Sequence, residues 1–429
     1  MILEQEILQL IKSIFWHFAW LPIFFILLYL FHEYWMYYVN NKFWRAKDWA
    51  LLEIKLPQRV PVTPKATEQM LAGLHGACKG PNLIEKYWDG YIQARFSLEI
   101  VGINGEIHFF IRTERKFRNL VEAQVYAQYP EAEIFEIEDY TKNLPFDMPD
   151  KDRDLWGSDL VFIKDEVYPI RTHPYFKEIE AEEGIIDPLA SFSEIFSHLR
   201  QGEQIWMQIL IEPTHDPWQK KSEQERDKLI GAPEKEKPKS GLSQTISMIK
   251  QEGAEWGKKG SEVFLGIGSG EQDFADKKEE RQLPSLMQHL SPGTQDKVKA
   301  VESKATKLGF NSKIRFIYIG TRDIFTKANV SALSGAFKQY SAQDLNGFMS
   351  GLSSKTSVDY FFEEKRKLYR KRKIYMNYRY RSFDGDPTYI LNIEELASIF
   401  HLPGIIVQAP SLPRVEAKKG GPPAGLPIG

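Results

Sequence analysis

The sequence predicts an α+β protein in which an N-terminal transmembrane helix precedes two ferredoxin-like (β-α-β-β-α-β) units, the second with a long insertion. Three observations predict it. Residues 14–31 form an apolar run without Asp, Glu, Lys or Arg, residues 48–140 alternate strand and helix patterns around Asn104-Gly105, and a weaker copy of that pattern follows.

At 1.5 Å per residue the run over residues 14–31 covers about 27 Å, close to the hydrocarbon thickness of a bilayer. Phe15, Trp16 and Trp20 lie before its aliphatic centre, and Tyr34, Trp35, Tyr37, Tyr38 and Trp44 after it, as an interfacial belt requires. Pro22 is compatible with a membrane helix. A cleaved signal peptide fits poorly, because Glu4 and Glu6 precede the run and bulky aromatics follow it. A buried core helix is rarely so aromatic all round. Lys12 stands alone before the run, whereas Lys42, Arg45, Lys47, Lys55 and Arg59 follow it, so the positive-inside rule places the bulk of the chain in the cytoplasm. The only cysteine, Cys78, fits a reducing compartment. The expected localisation is therefore a cell membrane crossed once. A net charge of −2 gives no global attraction to nucleic acid.

After the anchor and its flanks (residues 1–47), the first expected unit occupies residues 48–150. Residues 50–56 read as a strand closed by Pro57, and Met70, Leu71 and Leu74 have helical spacing. Strands over 96–103 and 106–112 flank Asn104-Gly105, a strong hairpin signal. Phe117, Leu120, Val121, Val125 and Tyr126 then form the apolar face of a helix, and residues 133–138 a final strand. The second expected unit spans 151–385, with a charged insertion near 213–312. Its residues 315–325 can be laid beside 107–117, with Thr113 and Thr321 as matching helix caps. Residues 220–240, dense in Lys, Glu and Pro, read as a solvated linker, and 293–308 as a helix ended by Gly309. Residues 386–429 form a connector and an extended tail, with Asn392 as N-cap of a helix over 393–400.

The chain shows little sign of catalytic chemistry. No Gly-x-x-x-x-Gly-Lys-Ser/Thr loop is present, and Gly266-Ile-Gly-Ser-Gly270 reads as a turn. His215 beside Asp216, and His75 one turn from Cys78, fall short of a ligand set, and one cysteine excludes a cysteine-rich zinc site. No catalytic residue, cofactor or metal is assigned, and the chain is expected not to be an enzyme. The one local charge signal is Lys365, Arg366, Lys367, Arg370, Lys371, Arg372, Lys373, Arg379 and Arg381, interleaved with Tyr369, Tyr375, Tyr378 and Tyr380. Three readings stay open: a solvated helix face, contact with nucleic acid, or contact with anionic lipid. Leu396, Ile399 and Phe400 make an apolar stripe on the C-terminal helix, a candidate docking element for a partner.

Leu391-Asn-Ile-Glu-Glu-Leu-Ala-Ser-Ile-Phe-His-Leu-Pro-Gly404, followed by Val407-Gln-Ala-Pro410 and Arg414-Val-Glu-Ala-Lys-Lys419, resembles the segment before the ATPase domain in membrane-anchored proteins of the type IV secretion and conjugative DNA-transfer class. Glu68-Gln-Met-Leu-Ala-Gly-Leu-His75, Phe109-Phe-Ile-Arg112 and Glu122-Ala-Gln-Val-Tyr-Ala-Gln-Tyr-Pro130 resemble the N-terminal region of those proteins, a domain of unknown function in ultra-small uncultured bacteria. The resemblance implies a membrane-anchored, non-enzymatic scaffold or adaptor beside a separate P-loop, DNA-translocating ATPase. The alternative is a membrane-tethered nucleic-acid-binding module using residues 365–381. The sequence given contains no motor, so motor activity does not carry over to these residues.

Overall fold

The sheet is organised around the Asn104-Gly105 turn. Asn104 at φ 52 and Gly105 at φ 92 supply the two successive left-handed residues that a two-residue hairpin turn needs. They join β2 (Phe96–Ile103) to β3 (Glu106–Glu114), with Ile103 opposite Glu106. Beyond β3 lie β1 (Trp49–Lys55) and then β4 (Glu133–Ile137). The later strands are β5 (Arg153–Phe162), β6 (Gln204–Pro213), β7 (Gly309–Thr321), β8 (Phe348–Ser350) and β9 (Tyr389–Asn392). The computed structural model describes residues 20–57, 63–178, 187–215, 217–231 and 290–403.

All of these strands join one nine-stranded sheet in the order β4-β1-β3-β2-β6-β7-β5-β8, with β9 on β7. Every strand pairing in it is antiparallel. The central contact is β2 against β6, in register from Phe96 opposite Ile211 to Ile103 opposite Gln204. This corrects the expectation of a transmembrane helix followed by two ferredoxin-like units. The strands that would be free edges of separate units pair along their length, and one apolar core runs from Leu52 and Ile111 to Phe316 and Phe337. An unpaired strand edge invites association, and this pairing removes two of them.

The helices in chain order are α1 (Trp20–Arg45), α2 (Pro64–Leu74), α3 (Leu83–Tyr87), α4 (Arg118–Gln128), α5 (His173–Glu178), α6 (Leu189–Ser197), α7 (Pro217–Leu229), α8 (Pro292–Ala305), α9 (Lys327–Lys338), α10 (Glu363–Arg379) and α11 (Ile393–Ile399). Strand side chains alternate between faces. Phe96, Leu98 and Ile100 of β2, with Ile205, Met207 and Ile209 of β6, share one core with Met70, Val121, Phe192, Leu333 and Leu396 of α2, α4, α6, α9 and α11. The intervening positions face the other way and pack with Ile374, Tyr375 and Tyr378 of α10. That second face also carries the buried polar residues Glu99, Gln208, Asp159, Lys313 and Arg315.

Helix α1 corrects the expected single-pass localisation. Its described apolar part, residues 20–31, is followed by His32 and Glu33, and the helix continues through Asn40, Asn41 and Lys42 to Arg45. Among the described residues, no helix is long and apolar enough to cross a membrane. Residues 14–19 of the expected run lie outside them. The C-terminal half of α1 is fastened to the domain: Val39 is buried, Trp35 donates from Nε1 to the Tyr87 carbonyl at 2.8 Å, and Trp44 meets Trp49 with ring centroids 4.8 Å apart.

Other expectations change locally. Thr113 is buried within β3, and Thr321 ends β7 without capping a helix; the cap of α9 is Thr326, whose side chain accepts from the Ala328 amide. Residues 220–229 of the expected linker belong to α7, which packs on α8, and Gly309 opens β7 where a helix C-cap was expected. Residues 232–240 of the linker, Gly266–Gly270 and the tail after residue 403 lie outside the described residues. Asn392 does cap α11, in a reciprocal pair with Glu395. Glu395 is buried as well and pairs with Lys304 of α8, Nζ to Oε2 3.1 Å, while Lys304 Nζ also donates to the Ile390 carbonyl at 3.0 Å.

Leu396, Ile399 and Phe400, expected on a docking surface, are each 0% exposed, and Phe400 stacks edge-on against Phe109. These side chains fill the core. Leu396→Ala or Phe400→Ala is expected to lower the unfolding free energy by about 2–5 kcal/mol in urea titrations. A change below about 0.5 kcal/mol, typical of a surface site, would contradict that placement.

Candidate nucleic-acid interface

Helix α10 has two chemically different halves. It opens with Glu363 and Glu364, where the helix dipole favours acids, and continues through a run of basic residues. Its C-terminal half is buried. Trp206 of β6 packs against the rings of Tyr378 and Tyr375, with centroids 5.2 and 6.2 Å away, and the Tyr375 hydroxyl donates to the Pro145 carbonyl at 2.9 Å. Two of the tyrosines expected to stack on a ligand are therefore core residues.

Arg381, just beyond the helix, is also inside. It is 2% exposed and adopts φ 50, a left-handed conformation that a non-glycine residue reaches at a cost. Its guanidinium donates to Glu99 at 3.0 Å from Nε and to the Asp139 carboxylate on the other side. Glu99 also accepts from Ser97 Oγ at 2.5 Å, Tyr140 Oη at 2.7 Å and Gln208 Nε2 at 3.0 Å. Gln208 hands the chain on to Arg315, which donates to Asp159 at 3.0 Å and to the Asn377 carbonyl at 2.5 Å. Burial pushes the Glu99 carboxyl up, but the Arg381 charge and the bonds from Arg381, Ser97 and Tyr140 hold it below the usual carboxylate range. The same opposition of burial and Arg381 leaves Asp139 lowered. Burial, reinforced by repulsion from Arg381, brings Arg112 down to about 9, so it still carries its proton at neutral pH.

The nine basic residues singled out in the sequence thus divide. Arg381 is part of the core. Arg379 donates to the Leu144 carbonyl and lies over the Phe146 ring, Lys371 pairs with Asp154 at 2.6 Å, and Lys367 pairs with Glu363. Arg370 donates to the carbonyls of Lys355 and Ser357. Lys365, Arg366, Arg372 and Lys373 are exposed.

Sequence reasoning missed the aromatic residues beside these four. Tyr360, Phe361 and Phe362 precede the helix, are 77%, 84% and 80% exposed, and Phe362 takes φ 56 as the residue before Glu363. Tyr369 is 65% exposed, and Lys373 Nζ lies 6.0 Å from its ring centroid. The available signal was three aromatics in a row ahead of a charged helix. A second juxtaposition was also invisible: Cys78 Sγ lies 3.3 Å from His215 Nε2, and Gln93 Nε2 donates to the same sulfur at 3.2 Å. Among the described residues no group of three or more His, Cys, Asp or Glu side chains could hold a metal ion.

A family model described as a domain of unknown function, DUF8128, matches residues 44–412. The chain belongs to that family. No curated protein matches it. The DUF8128 description names no activity, and nothing in the match links the chain to type IV secretion or to an ATPase. The matched residues begin in the last turn of α1 and take in the whole sheet and α10.

The Arg381 network gives this DUF8128 domain a defined acid sensitivity. Glu99 and Asp139 have folded-state pKa values below their unfolded ones, so their stabilisation is present above the ordinary carboxylate range and is lost as pH falls through the lowered values. Arg381→Met removes the partner from the buried Glu99 carboxylate and the half-buried Asp139 carboxylate and is expected to cost about 3–5 kcal/mol at neutral pH. Urea titrations across a pH series check this: the variant's stability should fall less steeply on acidification than that of the unaltered chain. Parallel acid limbs would contradict the assignment.

Proposed function

We propose that this DUF8128 chain is a nucleic-acid-binding scaffold that holds a single strand on the N-terminal half of α10. The observation that carries the reading is the cluster of exposed Tyr360, Phe361, Phe362 and Tyr369 rings among exposed Lys365, Arg366, Arg372 and Lys373. Stacking on an aromatic ring contributes about 1–3 kcal/mol per base and tolerates any sequence, while lysines and arginines neutralise the phosphates between bases. With a net charge of −2 over the whole chain, such attraction has to be local, and the cluster is local. The buried half of α10 holds its exposed half in place, which reduces the ordering cost of binding.

DNA is the first ligand to test because of the resemblance of residues 391–419 to DNA-transfer proteins. A separate DNA-translocating ATPase is the partner proposed on that resemblance alone. In this reading the chain itself performs no reaction and presents the strand to the partner.

Fluorescence anisotropy with a labelled oligodeoxythymidine tests the binding. Four phosphate contacts on a single strand predict that log K falls with log salt with a slope of about −3. Tyr369→Ala, which removes one stacking ring, should weaken binding about 5- to 100-fold. No binding at low salt, or binding indifferent to salt, would overturn the proposal.

A further inference from the structure

Beside the exposed cluster, the side of α10 and the turn after β8 enclose a shallow cleft lined by Ser353, Ser354, Arg370, Lys373, Asn377 and Gly385. We infer that this cleft is a subsite for one phosphate of the nucleic-acid backbone, which sets the position of the neighbouring base at Tyr369. The inference rests on the nucleic-acid reading above and adds to it a defined place where the strand is gripped.

The charge balance of the cleft carries the argument. Asp386, bonded to two of the lining serines, is already engaged: its carboxylate accepts from the Ser353 amide at 3.2 Å, the Ser353 hydroxyl at 2.6 Å and the Ser354 amide at 3.0 Å. Burial opposes its charge, yet those serine bonds hold Asp386 below the usual carboxylate range. Asp159, underneath, pairs with Arg315 and Lys313 at 3.0 and 3.6 Å. Asp384, next to Gly385 of the lining, accepts from the Ser382 hydroxyl at 2.6 Å and offers its backbone carbonyl to Asn377. Among the described residues neither Arg370 nor Lys373 is in an ion pair, so the two cations of the wall are not neutralised by a carboxylate.

Geometry supplies the rest. Two bonds from one terminal nitrogen of Arg370, to the Lys355 and Ser357 carbonyls at 2.8 and 3.2 Å, fix its guanidinium without using its charge on an acid. Lys373 lines the cleft, and its Nζ is also near enough to the Tyr369 ring for a cation–π contact. A phosphate bound by Arg370 and Lys373 leaves its nucleoside beside that ring. Phosphate contacts set register while stacking holds the base, so the two groups act as one unit on a strand.

Lys373→Gln and Lys365→Gln, compared in the full chain with a labelled oligodeoxythymidine, test the inference. Both residues are exposed and both variants lose one charge, but only Lys373 lines the cleft. The cleft predicts that each variant reduces the salt slope by about 0.7, one phosphate contact, but that Lys373→Gln weakens binding at least about 5-fold more than Lys365→Gln, because Lys365 meets phosphate on the open surface. Equal losses in the two variants would mean a diffuse positive field and overturn the subsite while leaving the nucleic-acid reading intact. Failure of the unaltered chain to bind the oligonucleotide would overturn both. So would Lys373-dependent binding to phosphatidylcholine vesicles containing phosphatidylserine with no oligonucleotide bound.

Discussion

The structure depends on satisfying the carboxylate of Glu99 in the middle of the sheet. It is fully buried on β2, next to the β2–β6 seam, and a buried ionised group without partners costs several kcal/mol. Ser97, Tyr140 and Gln208 contribute hydrogen bonds, but the only opposite charge bonded to Glu99 among the described residues is Arg381, 282 positions later in the chain. The segment after α10 must therefore return to the sheet centre. Its left-handed backbone at Arg381 is the local strain accepted to aim the guanidinium between Glu99 and Asp139.

That requirement ties together regions that the order of the chain keeps apart. Glu99 belongs to the first four strands and Gln208 and Arg315 to the later ones, and α10 lies over the seam with its buried tyrosines on Trp206. The pairing of β2 with β6 supplies the backbone connection, and the ionic chain supplies a side-chain connection across it. The consequence for function is positional. A helix welded at one end to a large sheet presents its other end as a fixed surface, and on α10 that end carries the basic and aromatic side chains.

Features governed by neighbours in sequence were legible. Asn104-Gly105 marked the hairpin, and Asn392 with Glu395 marked the start of α11, because turn and cap chemistry act within a few residues. The apolar spacing of Leu396, Ile399 and Phe400 suggested a stripe, but Ile393, Glu395, Ala397 and Ser398 of the same helix are buried as well, and spacing cannot say whether a helix meets its own core or a partner. Residues 14–31 drew attention by lacking charge, whereas the described helix runs on through Glu33 and Lys42 and joins the domain at Val39. The candidate site was only half legible. Arg381 and Lys371 looked like free cations because Glu99 and Asp154 lie 282 and 217 positions away, and nothing local reveals such partners. The meeting of Cys78 with His215 was hidden for the same reason, at a separation of 137.

The central claim is that the buried half of α10 shares the stability of the sheet and carries the exposed half as a rigid extension. Native-state hydrogen exchange, followed residue by residue, tests it most directly, because amides that open only on global unfolding exchange together. The account predicts that amides of residues 375–381 exchange at the same low rate as those of β2, β6 and β7, and that amides of residues 366–370 remain protected, exchanging far more slowly than in an unstructured chain. Uniformly fast exchange along the whole helix, well before the sheet opens, would contradict it.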